Sequence, residues 1–185
     1  MKIGLIVLLA AALGLGGCFV SKRNELAVQN EAISKAWADV DIVLTRRAEL
    51  IPNLVATVQG FAKQETTIFD NIAKARAAMA GARNPGEKIE ANSQLDSALG
   101  RLLVVVENYP QLKSNENFTR LQDELAGTEN RIAVERRKYN EAVQRYNTDI
   151  VQFPASLVAS LSGFQRNDAY FKTEPAQRQA PKVNF

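Results

Sequence analysis

From Leu26 onward, apolar residues recur at alternating steps of four and three. The positions are Leu26, Asn30, Ile33, Trp37, Val40, Leu44, Arg47, Ile51, Leu54, Val58 and Phe61, and all but Asn30 and Arg47 are apolar. An α-helix turns once per 3.6 residues, so these positions share one stripe. A strand alternates with a period of two and cannot use such a pattern. A seam this long predicts one long helix, from about Asn24 to Phe61, packed against other helices. Pro52 lies inside it. Its missing N–H and its ring predict a kink or a short break around Ile51.

The same reading extends along the chain. A second helix is expected over residues 64–80, with Ile68, Ile72, Ala75 and Met79 inward. Gly81 to Gly86, with Asn84 and Pro85, reads as a loop. A third helix is expected over residues 87–108, with Leu95, Leu99, Leu102, Leu103 and Val106 inward and Pro110 ending it. A fourth starts near Ser114 or Asn115. Its seam is Phe118, Leu121, Leu125, Thr128, Ile132, Glu135, Tyr139, Ala142, Tyr146 and Ile150, and Pro154 stops it. Residues 155–164 are expected to form a short amphipathic piece with Leu157, Leu161 and Phe164 on one face. The expected fold is all-α: an antiparallel four-helix bundle with two long helices, after an N-terminal signal or anchor segment.

The anchor is read from charge. Lys2 is followed by 18 residues, Ile3 to Val20, without one charged side chain. As a helix they span about 27 Å, close to the roughly 30 Å of a hydrocarbon core. Leu15-Gly16-Gly17-Cys18 ends the run and resembles a bacterial lipobox, which places a lipid attachment on Cys18. Phe19 follows it, so there is no Asp of the kind that retains lipoproteins at an inner membrane. By that resemblance the chain is exported, faces the periplasm and leans to the outer membrane. The alternative is a single-pass inner-membrane protein that retains the helix. The organisation expected is a signal or anchor over 1–17, a tether over 18–23, a helical bundle over 24–171 and a disordered tail over 172–185.

Composition narrows the chemistry. The chain has no histidine and one cysteine, so imidazole catalysis, an intrachain disulfide and His- or Cys-rich metal sites are excluded. Its 23 basic and 20 acidic residues nearly balance, at +3, which argues against a nucleic-acid binder. No cofactor, metal or catalytic residue is expected. Four polar residues stand out. Arg47 falls on the first seam and Glu135 on the fourth. A partly buried Arg47–Glu135 bridge that sets register is one reading; two solvated charges at the seam edge is the other. Glu129 and Asp41 are a conceivable carboxylate pair. Acid–base work would also need a pocket and shifted pKa values, so a structural or ligand-recognising polar network is expected instead.

Several blocks resemble the LemA family. They include Ala36-Trp37-Ala38-Asp39-Val40-Asp41, Arg46-Arg47-Ala48-Glu49-Leu50-Ile51-Pro52-Asn53-Leu54-Val55 and Val105-Val106-Glu107-Asn108-Tyr109-Pro110. Thr128-Glu129-Asn130-Arg131-Ile132-Ala133, Tyr139-Asn140, Tyr146-Asn147 and Phe153-Pro154 belong to the same series. The resemblance covers about residues 24–171. It implies a four-helix bundle on an N-terminal membrane anchor and assigns no molecular activity. Leu15-Gly16-Gly17-Cys18 departs from the single transmembrane helix with which many members are described. The expected function is a membrane-anchored, non-enzymatic scaffold or interaction protein of the bacterial envelope, with a protein partner there. The alternative is a binder of lipid or cell-wall fragments through the bundle interior or a basic face. Self-association is compatible with either.

Overall fold

The computed structural model describes residues 2–172, and every regular element among them is a helix. In chain order these are α1 (Lys2–Gln59), α2 (Thr66–Gly81), α3 (Pro85–Val106), α4 (Pro110–Lys113), α5 (Glu116–Asp149) and α6 (Ala155–Ser162). The expected disorder of the tail falls, beyond Lys172, outside the described residues.

Two boundaries differ instructively from the sequence reading. Residues 18–23, read as a tether, are helical, and the uncharged segment and the first seam form one helix of 58 residues. Of the kink or short break expected around Ile51, the break does not occur: Pro52 lies inside α1, which runs on to Gln59. Proline forfeits one backbone bond there. Ile51, Leu54 and Val58, all nearly inaccessible, hold the turns on either side. Gly60 then ends the helix, so the seam changes phase. Phe61 is exposed and Ala62 takes the buried place expected for it.

Local chemistry sets the other ends. Asn84 caps α3, its Oδ1 accepting from the Glu87 N–H at 2.9 Å. The Glu87 carboxylate accepts in return from the Arg83 N–H at 2.7 Å. This reciprocal cap with Pro85 in the first turn turns half of the expected loop into a helix start. Asn115 caps α5 through the Phe118 N–H at 3.1 Å.

The chain divides into two compact units. The first comprises Met1–Ile42 with Ala133–Asp168, the second Val43–Ile132 with Ala169 onward. In the first, Trp37 meets Tyr139 edge to face, with ring centroids 5.4 Å apart. The buried Gln29, rather than the exposed Asn30 of the expected seam, donates to the Asp149 carboxylate. Val143 replaces Ala142 as the buried seam residue of α5.

The segment after α6 is held by two adjacent side chains of α5. The Tyr146 hydroxyl donates to the Gln165 carbonyl at 2.9 Å, and its burial raises its pKa above the ordinary tyrosine value. Asn147 clasps the backbone of Asn167 from both sides. Its Nδ2 donates to the Asn167 carbonyl at 2.6 Å and its Oδ1 accepts from the Asn167 N–H at 2.9 Å.

In helix α6 the face that carries the two leucines is the outer one. Ala155, Val158 and Ala159 are buried, whereas Leu157 and Leu161 are 58% and 77% exposed. Residues 155–162 are all small, apolar or serine, so no polar face fixes the phase of the helix. Small side chains on the inner face permit a close approach. In the second unit the cores of α2 and α3 are Phe69, Ile72, Ala75 and Met79 with Leu95, Leu99 and Leu102.

Gly163 ends α6 with φ of +76°, and the Phe164 N–H donates back to the Ala159 carbonyl at 3.0 Å. A Cβ at Gly163 would meet nothing within 4 Å, so only the left-handed backbone opposes one. Gly163→Ala is therefore expected to cost about 1 kcal/mol, and Gly163→Asn less. Denaturant titration of the detergent-solubilised protein measures this; an equal loss in both variants would contradict the backbone explanation.

Candidate functional site

The polar centre of the second unit is built on Arg47. Seam geometry turns this residue of α1 inward, between Leu44 and Ile51, and leaves its side chain 9% exposed. A guanidinium removed from water to this degree needs opposite charge and hydrogen-bond acceptors. Both are supplied. Nη1 pairs with the Asp96 carboxylate of α3 and lies 2.9 Å from Oε2 of Glu129 on α5. The same nitrogen is 3.4 Å from Oδ1 of Asn92, a long contact. Asn92 is itself buried and donates to the other Asp96 oxygen at 3.0 Å, which orients that carboxylate. Below Glu129, the buried Thr128 satisfies its hydroxyl on the Glu124 carbonyl at 2.8 Å.

One cation thus ties three helices. Its two carboxylates are one-third and two-fifths exposed, at 33% and 43%. Beside the pair lies a cleft of about 250 Å³. Leu54, Leu99, Leu103 and Leu125 make its apolar wall, and Arg47 and Glu129 stand at its polar end. Apolar walls with a charged end suit an amphipathic guest or an inserted apolar side chain. Among the described residues no group of three His, Cys, Asp or Glu side chains converges in a way that would hold a metal ion.

The structure redistributes the residues singled out by sequence. Arg47 does not bridge to Glu135; its carboxylates are Asp96 and Glu129. Glu135 belongs to the first unit, and its Oε1 accepts from Lys138 at 2.9 Å. Six residues separate Glu129 from Glu135, about 9 Å along a helix, so a guanidinium held at the first does not reach the second. Asp41 belongs to the first unit and Glu129 to the second. Cys18 is exposed, on the uncharged stretch of α1. Asn92 and Asp96 are the residues that sequence reasoning missed. The available signal was their spacing: they lie three residues before Leu95 and Leu99, on the apolar stripe of α3.

The pairing generates a quantitative expectation. Arg47→Ala leaves a cavity and two adjacent carboxylates that partly rehydrate, a loss of about 2–4 kcal/mol. A double-mutant cycle is expected to give coupling of about 1 kcal/mol or more between Arg47 and Asp96. Between Arg47 and Glu135 it should stay below about 0.5 kcal/mol. The reverse order would return the register role to Glu135.

The chain is 28% identical over 181 residues to Magnetosome protein MamQ 2 of Paramagnetospirillum magneticum, a match covering 84% of this chain and 66% of that one. Magnetosome protein MamQ of Magnetospirillum gryphiswaldense gives the same identity and coverage. Protein LemA of Metamycoplasma hominis is 25% identical over 142 residues, 76% of this chain and 65% of that protein. The chain therefore spans about two thirds of the length of the relatives it matches. The family model described as LemA family matches residues 36–185, which takes in α1 from Ala36, all of α2 to α6 and the Arg47 cluster. The chain belongs to the LemA family.

Proposed function

We propose that this protein is a membrane-anchored, non-enzymatic helical scaffold of the bacterial envelope, which presents its helices to a protein partner. The observation that carries the reading is α1. Its residues from Ile3 to Val20 (Phe19 apart) are exposed and uncharged, and they continue without a break into the buried seam that starts at Leu26. A stretch of that length and composition is sufficient to cross a membrane. Exposed in water it would be a severe liability, so a bilayer is its natural surrounding. Where the stretch is retained, its helical continuity with the seam makes the anchor a stiff mount that holds the first unit at a set height and orientation. Two of these relatives are named magnetosome proteins, which fits a role at a cellular structure rather than on a soluble substrate.

The helices α1, α2, α3 and α5 are read as an antiparallel four-helix bundle. Two pairs in the first unit support this. Trp37 meets Tyr139, and Gln29 meets Asp149, so eight residues back along α1 correspond to ten residues forward along α5.

Cys18 is the proposed lipid attachment, with the bundle facing the periplasm and the outer membrane as its destination. Lipidation suits an exposed thiol at the end of an uncharged run. A second reading, a retained single-pass helix in the inner membrane, is favoured by the unbroken helix across residues 17 and 18. Metabolic palmitate labelling separates the two. Label on the wild type and none on Cys18→Ser is expected; equal labelling of both would reject lipidation there.

The cleft beside Arg47 favours one alternative function, capture of a lipid or cell-wall fragment through its apolar wall. Crosslinking followed by pull-down from native membranes decides. The scaffold reading expects a specific protein to be recovered, and recovery of lipid or glycan alone would replace it with the binder.

A further inference from the structure

The first unit has a surface that neither the core nor the Arg47 site explains. From Ile150 to Gln165 the chain has 16 residues without a charge, between Asp149 and Arg166. In a chain with 23% charged residues, so long an uncharged stretch outside the anchor is a local departure. Ile150 is buried and Phe164 half-buried, but four of its large apolar side chains stay exposed. Val151 is 61% exposed and Phe153 81%, beside the exposed Leu157 and Leu161 of α6. Phe153, Leu157 and Leu161 are spaced by four, which puts the two leucines on one face of α6. The other face buries Ala155, Val158 and Ala159. The outer face of α6 thus carries leucines and serines and no charge, a composition that suits a lipid interface better than water alone.

The location identifies that surrounding. Phe153, Pro154 and Ala155 line a small cleft together with Lys22, Glu25 and Leu26 of α1. Lys22 pairs with Glu25 at 2.6 Å and is the first charged residue after the uncharged run Ile3–Val20. It thus marks the level at which the anchor leaves the hydrocarbon. The same level follows from a lipid on Cys18, one helical turn away.

We propose that the exposed side chains of residues 151–161 form a second membrane contact: Val151, Phe153, Leu157 and Leu161 dip into the lipid interface around the anchor, with α6 lying in that plane. The surface is taken by lipid acyl chains, and the contact needs no particular headgroup. It rests on the membrane anchoring proposed above. Such interfacial segments bury their apolar side a short way below the headgroups. The anchor sets the height of the protein, and this second contact stops it from rocking about the anchor.

Tryptophan quenching in reconstituted full-length protein tests the proposal. Phe153→Trp and Leu161→Trp place indoles on exposed positions, so neither disturbs the core. Ile42→Trp, also exposed, is the control, 22 residues beyond Val20 and about 33 Å further along the helix. The native Trp37 remains in place, and the wild type supplies its signal as a blank. The vesicles are phosphatidylcholine with a fraction of chains brominated just below the ester. A burial depth of about 5–10 Å predicts that the added emission at 153 and 161 falls by about half or more, while that at 42 is unchanged. Flotation of the same samples on a density gradient is read in parallel. If the protein floats and the indoles at 153 and 161 behave like the one at 42, the second contact is refuted and the anchor stands. Blue-shifted emission without quenching would mean that protein, a second copy included, covers the patch, and refutes it equally. If the protein does not float, anchoring itself fails and the inference falls with it.

Discussion

A guanidinium enclosed by helices imposes its own terms on them. Arg47 lies where the seam of α1 calls for leucine, so every element around it must bring something polar or leave a charge stranded. Asp96 comes from α3 and Glu129 from α5, and Asn92 turns Asp96 toward the cation. An apolar seam tolerates slippage by a turn, because one leucine replaces another at little cost. A fixed charge does not, since a shift of one turn removes its partners. The cluster therefore contributes more to uniqueness of packing in the second unit than to net stability, because much of the attraction offsets the desolvation of Arg47.

The first unit reaches definition by neutral means. Aromatic contact at Trp37 and Tyr139, one amide–carboxylate bond at Gln29, and the Tyr146 and Asn147 contacts fix which surfaces meet. The Asn147 clasp is notable in kind, because it satisfies both backbone groups of Asn167 as a neighbouring strand would. An irregular segment is thereby held against a helix without secondary structure of its own.

The long elements were legible in the amino-acid order because their information is redundant. Ten or more seam positions in α1 or α5 outvote a proline at 52 or a misplaced Ala142. The short elements carried no such redundancy. In α6, every residue is compatible with either face, so grouping Leu157 with Leu161 did not reveal that Ala155 and Ala159 are the buried ones. The loop around Asn84 and Pro85 has the composition of a turn, yet the same residues make a cap as soon as Glu87 is counted with them. The site was half legible. Arg47 was noticeable as a charge at a seam position and Glu129 as half of a conceivable carboxylate pair, but their association depends on how α3 is set against α1 and α5. Asp96 is an ordinary surface residue until that setting is known.

The unbroken course of α1 has a geometric consequence. Each residue of a helix adds about 1.5 Å of rise and about 100° of rotation. Between Val20 and Leu26 nothing interrupts that relation, so the number of residues there encodes both the height of the first unit and the compass direction in which its seam faces. Inserting one residue turns the seam through more than a quarter of a circle about the anchor's axis. Steps of about seven or eleven residues, close to two or three full turns, return it near its original bearing. The segment thus works as a vernier as well as a spacer, and its length is under an angular constraint that a flexible linker would never feel.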